Sequence, residues 1–159
     1  MATSLKSRVI VREHSASNTT WAGTYSLLIK AKSIPSPIQE PNTVESTTLE
    51  DDTQTFELGI NASDKLSIDG NMERSYLDSI AAFSGKQVDI IHLYGTDGLG
   101  GVAKYAYTGQ VTAKPNDVGG NDEILGMTAI IVPNTVPEDI FNGYTVTESN
   151  GTFTVTATA

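Results

Sequence analysis

What most constrains this chain is its rhythm. Short runs of β-branched and apolar residues alternate with polar ones and are cut at close intervals by Gly and Pro, and only one stretch changes to helical spacing. Residues 25–31 form the first convincing strand, and 65–70 (Lys-Leu-Ser-Ile-Asp-Gly) alternate as a half-buried strand does. Residues 87–94, 102–113 and 123–132 read as further strands, separated by the glycine-rich turn 95–101 and the turn 114–122, with Pro133 as a stop. Near the C-terminus, 144–148 and 152–156 flank Asn150-Gly151, the dipeptide of a tight hairpin. Against this background Met72, Tyr76, Leu77, Ile80 and Phe83 recur at helical spacing, with Asn71 as cap, Glu73 suited to the helix dipole and Gly85-Lys86 as the stop. The pattern predicts a mainly β domain, an antiparallel β-sandwich or barrel with one flanking α-helix at about 71–84.

Two segments do not fit the rhythm. Residues 1–24 are polar and rich in Ser and Thr around one apolar triplet, Val9-Ile10-Val11, and read as a flexible N-terminal arm that orders only when covered. Residues 34–41 hold three prolines and should run extended. The arm loop that follows, 40–57, is acidic and Thr-rich, long for a compact chain, and strand-prone at Val44, Thr47, Thr48, Thr53 and Thr55, so it reads as an arm that needs a partner. The expected organisation is therefore an arm at 1–24, a core at 25–135 and a C-terminal extension with its hairpin at 136–159.

At 159 residues one domain is enough, burying about 70% of its unfolded surface. The absence of Cys removes disulfides, thiolate nucleophiles and the commonest zinc sites. With no apolar leader at the N-terminus, the reading is a chain folded in a cytoplasm, where the sequons at Asn18, Asn61 and Asn150 are coincidences of an Asn- and Thr-rich sequence. Charge is unevenly spread. Lys6, Arg8, Arg12, Lys30 and Lys32 oppose only Glu13 in residues 1–32, a segment charge of +4 against a chain total of −9, which leaves −13 for the remainder. Six acids, Glu40, Glu45, Glu50, Asp51, Asp52 and Glu57, fall in 40–57 with no base. Such a surface does not grip nucleic-acid phosphates broadly, and a basic end meeting an acidic arm suits self-association.

Groups able to carry chemistry are few. His14 lies in the polar arm and reads as solvated. His92 stands opposite Ile91 and Leu93 on its strand and reads as a surface or interface residue. The Glu50-Asp51-Asp52 run lacks the spacing and the sharp glycine turn of a calcium loop. The loop 95–101 resembles a phosphate-binding loop only in composition, because a strand and not a helix follows it. No catalytic residue, metal ligand or cofactor is assigned, and the reading is of a protein that is not an enzyme.

The order and spacing of several segments resemble the major tail tube proteins of long-tailed, siphovirus-type bacteriophages. The segment Ile38-Gln39-Glu40-Pro41-Asn42-Thr43-Val44-Glu45-Ser46-Thr47-Thr48-Leu49-Glu50-Asp51 is similar to a Pro-x-x-(Ile/Val)-x-x-Thr-Thr-Leu-(Asp/Glu)-Asp stretch of that family. Phe56-Glu57-Leu58-Gly59-Ile60, the single helix, Tyr105-Ala106-Tyr107-Thr108-Gly109-Gln110-Val111 and the run from Glu123 to Pro133 follow in the family's order, so the likeness spans about 25–135. It implies a virion structural protein, made in the host bacterial cytoplasm, that assembles as stacked hexameric rings whose inner sheets join into one barrel. Its partners would be copies of itself, the tape measure protein and the tail terminator and initiator proteins, with DNA passing through unbound. Under this reading Glu45, Glu50, Asp51, Asp52 and Glu57, with Lys6, Arg8 and Arg12, are subunit-interface candidates. Asp69 and Asp97 are lumen-facing candidates, on the argument that an acidic wall repels a polyanion where basic contacts would brake it. The C-terminal hairpin departs from the resemblance and reads as an outer addition or the last strand of the sandwich. The competing readings are a non-catalytic surface-binding or adhesive β-sandwich, poorly served by one Trp, and a tube from a contractile or secretion apparatus.

Overall fold

A computed structural model describes residues 6–17, 20–38, 41–45, 56–61, 65–118 and 125–158. They form twelve strands and one helix. In chain order these are β1 (Arg8–Glu13), β2 (Gly23–Leu27), β3 (Ala31–Ser33), β4 (Pro41–Glu45), β5 (Phe56–Asn61), β6 (Leu66–Asn71), α1 (Arg74–Ala82), β7 (Val88–Tyr94), β8 (Ala103–Pro115), β9 (Gly126–Pro133), β10 (Glu138–Asp139), β11 (Tyr144–Ser149) and β12 (Thr152–Ala157). Ten strands make one antiparallel sheet in the order β11-β12-β2-β1-β7-β8-β9-β6-β3, with β10 alongside β8, and the sheet curls into a half-barrel. The mainly β, one-helix architecture expected from the sequence is the one observed.

The sheet turns on β8. Its first half, to Gly109, pairs with β7, and from Gly109 to Pro115 it pairs with β9. A Cβ at Gly109 would stand 2.5 Å from the Val132 carbonyl oxygen, so only glycine lets the two strands close at the handover. Folding the sheet about this point creates two apolar clusters. One gathers Val9, Val11, Val88, Ile90 and Tyr107 against Leu66, Ile68, Val111, Met127 and Ile131 of the other half, with Ile80 of α1 closing over them. The other joins Ile10, Ile91, Leu93 and Ala106 to Tyr25, Phe153, Val155, Val146 and Ile140. Strands β1 and β7 are thus covered on both faces, which is why 88–93 are buried without alternation while β6, covered on one face, alternates strictly.

Three expectations are corrected. The N-terminal 1–24 is not simply an arm: β1 lies between β2 and β7, in register from Arg8↔Leu93 to Glu13↔Val88, and Val9, Ile10 and Val11 are buried. A polar flank hid this because each member of the triplet points into a different core from its neighbour, and three apolar residues are enough. Residues 25–31 are not one strand. Consecutive Leu28 and Ile29 are both buried in the same cluster, which an unbroken strand forbids, so the chain leaves β2 there and crosses to β3. The helix starts at Arg74, not 71, because the β6–β9 ladder holds Asn71 opposite Gly126. Glu73 takes the cap position, in extended conformation and without a side-chain hydrogen bond. The helix ends at Ala82, two residues before the expected end, with Phe83 at the C-cap and Gly85 at φ +74° in the turn beyond.

The described ends of the arm loop 40–57 belong to a two-stranded ribbon, β4 with β5, in register Val44↔Glu57 and Glu45↔Phe56, while Thr47, Thr48, Thr53 and Thr55 lie outside the described residues. The loop's strand-forming flanks pair with each other. The C-terminal hairpin is part of the sheet, since β12 pairs with β2 from Thr152↔Ser26 to Val155↔Gly23, and Asn150 and Gly151 turn it with φ of 51° and 81°.

Because Ile10 closes one cluster and anchors the strand that closes the other, Ile10→Ala should lower stability by about 2–5 kcal/mol in a denaturant titration. Deleting residues 1–13 should abolish the cooperative transition altogether.

Candidate assembly surface

The charged groups of β1 are not distributed as a free basic patch. Register places Arg12, Asp89 and Thr108 side by side across β1, β7 and β8, on the face of the second cluster. Asp89 is 2% exposed and could not remain charged there unaided. Its Oδ2 accepts a 2.8 Å bond from Arg12 Nε, and its Oδ1 accepts from Thr108 Oγ1 at 3.2 Å and lies 2.8 Å from His14 Nδ1. Arg12 Nη1 and Nη2 donate to the Ala22 and Thr20 carbonyls, at 2.6 and 2.7 Å, and its guanidinium lies over the Tyr25 ring. Tyr25 in turn donates to the Trp21 carbonyl, and burial raises its phenol well above the ordinary range, against the pull of Arg12. The network ties β1, β7, β8 and residues 20–22 together and engages all three Arg12 nitrogens within the chain. Nor is His14 merely solvated. No side chain among the described residues bonds its Nε2, so the His14–Asp89 pair is not extended into a relay.

His92 also departs from expectation. It is fully buried on the opposite face of β7, with Nε2 2.8 Å from Tyr107 Oη and Nδ1 3.5 Å from Tyr94 Oη. Burial lowers its pKa to about 4, and burial likewise pushes Tyr94 up to about 12 and Tyr107 higher still.

The remaining candidates are scattered. Arg8 forms a 2.7 Å pair with Glu148 of β11, and its guanidinium also faces the Phe153 ring. Lys6 is exposed at φ +63°. Glu45 and Glu57 fall on the β4–β5 ribbon, and Glu50, Asp51 and Asp52 lie outside the described residues. Asp97 folds back on its own loop, where Oδ1 accepts the Leu99 and Gly101 N–H groups at 3.0 and 3.1 Å. Those bonds, chiefly that from Leu99, hold its carboxyl below the ordinary range. That loop joins β7 to the first half of β8, away from the strands that carry Asp69. Asp69 is exposed on β6 and accepts a 2.7 Å bond from Thr128 Oγ1. Its face continues through Ser67, Ile130, Thr128, Thr112 and Lys114 to Gln110 and the exposed Val132, so this wall is mixed in charge and carries two apolar side chains, rather than acidic. No group of three or more His, Asp or Glu side chains that might hold a metal ion occurs among the described residues.

Main-chain geometry supplies a surface that residue types did not reveal. Thr108 O accepts from Asn134 and Thr135 N–H, and Asn116 N–H donates to Gly126 O, so even-numbered residues of β8 turn their peptide groups toward β9. Odd-numbered ones turn the other way. Up to Gly109 they meet β7; at Val111 and Ala113 no described strand faces them, and Pro115 ends the row without a donor. This edge opens into a groove of about 390 Å³ lined by Val111, Thr112 and Ala113 with Arg74, Leu77 and Ile80 of α1. At the far side of β9 and β6, β3 is the terminal strand. Among the described residues, the half β3-β6-β9-β8 therefore has two edges without a strand partner, running in opposite directions, with Val111 of the β8 edge buried beside α1. The sequence held one sign of the buried network, a lone acid at 89 inside an apolar run, which demands a cationic partner.

No protein-family model matches this sequence, and no curated protein matches it significantly.

Replacing Arg12 with Met leaves Asp89 buried without its cation and should lower stability by about 3–5 kcal/mol, read by chemical denaturation. The pH dependence of His92 follows from its shift. The unfolded chain binds a proton below about pH 6.5 while the folded one resists until about 4, so stability is complete above 6.5 and falls as pH drops through that window. The loss should reach about 3 kcal/mol at pH 4 and be absent from His92→Gln, as followed by thermal melts across that range.

Proposed function

We propose that this chain is the subunit of a bacteriophage tail tube, a virion protein that closes into stacked rings around a passage for DNA. The observation that carries the reading is the four-stranded half with two open edges. An unpaired edge invites pairing with another chain unless something caps it. Here the end strands, β3 and β8, run in opposite directions, so laying the β8 edge of one copy against the β3 edge of the next gives an antiparallel junction. The same rotation repeated closes a barrel in which no edge is left over. The core side of this half is apolar and its other side mainly polar apart from Ile130 and Val132, which suits a wall between a subunit core and an aqueous channel. The order of segments that resembles the tail tube family supports the same reading. The ribbon β4–β5 is inserted between two strands of this half, and in this reading it is the part that reaches an adjacent subunit or ring.

The wall's mixed charge modifies how such a passage treats DNA. With Lys114 in the same row as Asp69, the lumen would be low in net charge, and freedom from binding would come from the absence of a basic stripe rather than from strong repulsion. Tape measure, terminator and initiator proteins would be the other partners. Arg12 is used within the subunit and Arg8 is paired with Glu148, so main-chain pairing carries assembly and its dependence on salt should be shallow.

Ala113→Pro tests the reading. It removes a donor on the open edge and leaves the β8–β9 ladder intact, because residue 113 faces away from β9. The variant should keep the wild-type melting profile but stay monomeric in sedimentation velocity at concentrations where the wild type forms rings or tubes by negative-stain microscopy. Rings formed equally well by the variant, or a wild type that stays monomeric at every concentration, would sink the proposal.

A further inference from the structure

The chain holds two Asn-Gly dipeptides, and the fold treats them differently. Glycine offers no side chain to hinder its own amide nitrogen, so Asn-Gly is where a backbone nitrogen most readily attacks the preceding side-chain amide. At Asn142-Gly143 that nitrogen is engaged: Gly143 N–H donates to Ile140 O at 3.1 Å. The same peptide is held from the other side, with Thr158 N–H donating to Gly143 O and Thr158 Oγ1 to Asn142 O. At the tip of the β11–β12 hairpin nothing equivalent exists. Both dipeptides are exposed and a Cβ on either glycine would meet no atom within 4 Å, but Gly151 N–H makes no hydrogen bond among the described residues.

We propose that Asn150 is a self-modification site of this protein, losing its side-chain amide by reaction with Gly151 N. The Gly151 nitrogen gives up its proton and bonds to Asn150 Cγ. The Cγ–Nδ2 bond breaks and ammonia leaves, giving a five-membered succinimide. Water then opens the ring at either carbonyl, yielding aspartate or, with the main chain rerouted through the β-carbon, isoaspartate. One water is consumed, one ammonia is released, and no redox partner is needed. The position gives the change a consequence. Asn150, Gly151, Glu148 and Arg8 line one groove of about 560 Å³, in which Arg8 pairs with Glu148 at 2.7 Å. A carboxylate at 150 competes for Arg8 and repels Glu148, and isoaspartate lengthens a turn whose register needs two residues with positive φ. Modification therefore loosens the contact that ties the C-terminal hairpin to β1.

Peptide mapping of the intact protein after prolonged incubation at mildly alkaline pH checks this directly. Conversion, read as a gain of one mass unit and as isoaspartate, should be about tenfold or more faster at Asn150 than at Asn142, the margin that the hydrogen bonds holding Asn142-Gly143 provide. Asn150→Gln should remove most of the conversion and Asn142→Gln little of it. Hydrogen exchange at β11 and β12 should quicken in Asn150→Asp relative to wild type. Equal rates at the two sites, or conversion mainly at Asn142, would overturn the assignment. Unchanged exchange in Asn150→Asp would overturn the loosening.

Discussion

A single buried carboxylate organises this fold. Asp89 is the second residue of a strand buried almost throughout, and a charge so placed is tolerable only if a cation and further donors reach it. Arg12 supplies the cation, and that requirement brings β1 into the centre of the sheet, lays Arg12 over Tyr25 on one side and seats Thr108 on the other. From there, the hydrogen bonds from Arg12 to Thr20 and Ala22 fix how the chain returns from β1 to β2. A network of this kind favours one register over others, since a slip of one residue would bury the charge without its partner.

With β1 and β7 fixed and covered on both faces, the remaining freedom lies in β8. Its handover at Gly109 lets one sheet serve two cores and swings the half β3-β6-β9-β8 away from β7. The open edge at Val111 and Ala113 is a consequence of that swing, so the feature on which assembly would depend derives from how the core is closed. In the proposed reading stability and association are separated: the buried network serves the first, the unpaired peptide groups of β8 the second.

How much of this was legible varied with the physics involved. Strands with one solvated face, such as β6, and the Asn150-Gly151 hairpin were readable because alternation and turn chemistry are local. The helix was readable from spacing, though its start was not, because the ladder at Asn71 overrode a good capping residue. His92 was misread as a surface group because alternation cannot tell a strand covered on both faces from one covered on a single face. The partner of Arg12 was not legible for the related reason that it lies 77 residues away.

By itself, the sequence determined the class of structure: the period of its apolar residues, its turn dipeptides and its lack of any second helical stretch leave little besides a mainly β domain with one helix. Only the tertiary structure decided that the N-terminal triplet is a central strand, that Asp89 and Arg12 neutralise one another, and that β8 leaves part of its edge unpaired. Period and propensity are properties of neighbours along the chain, whereas pairing order, two-sided burial and charge compensation depend on residues brought together from far apart, and no local pattern encodes which ones will meet.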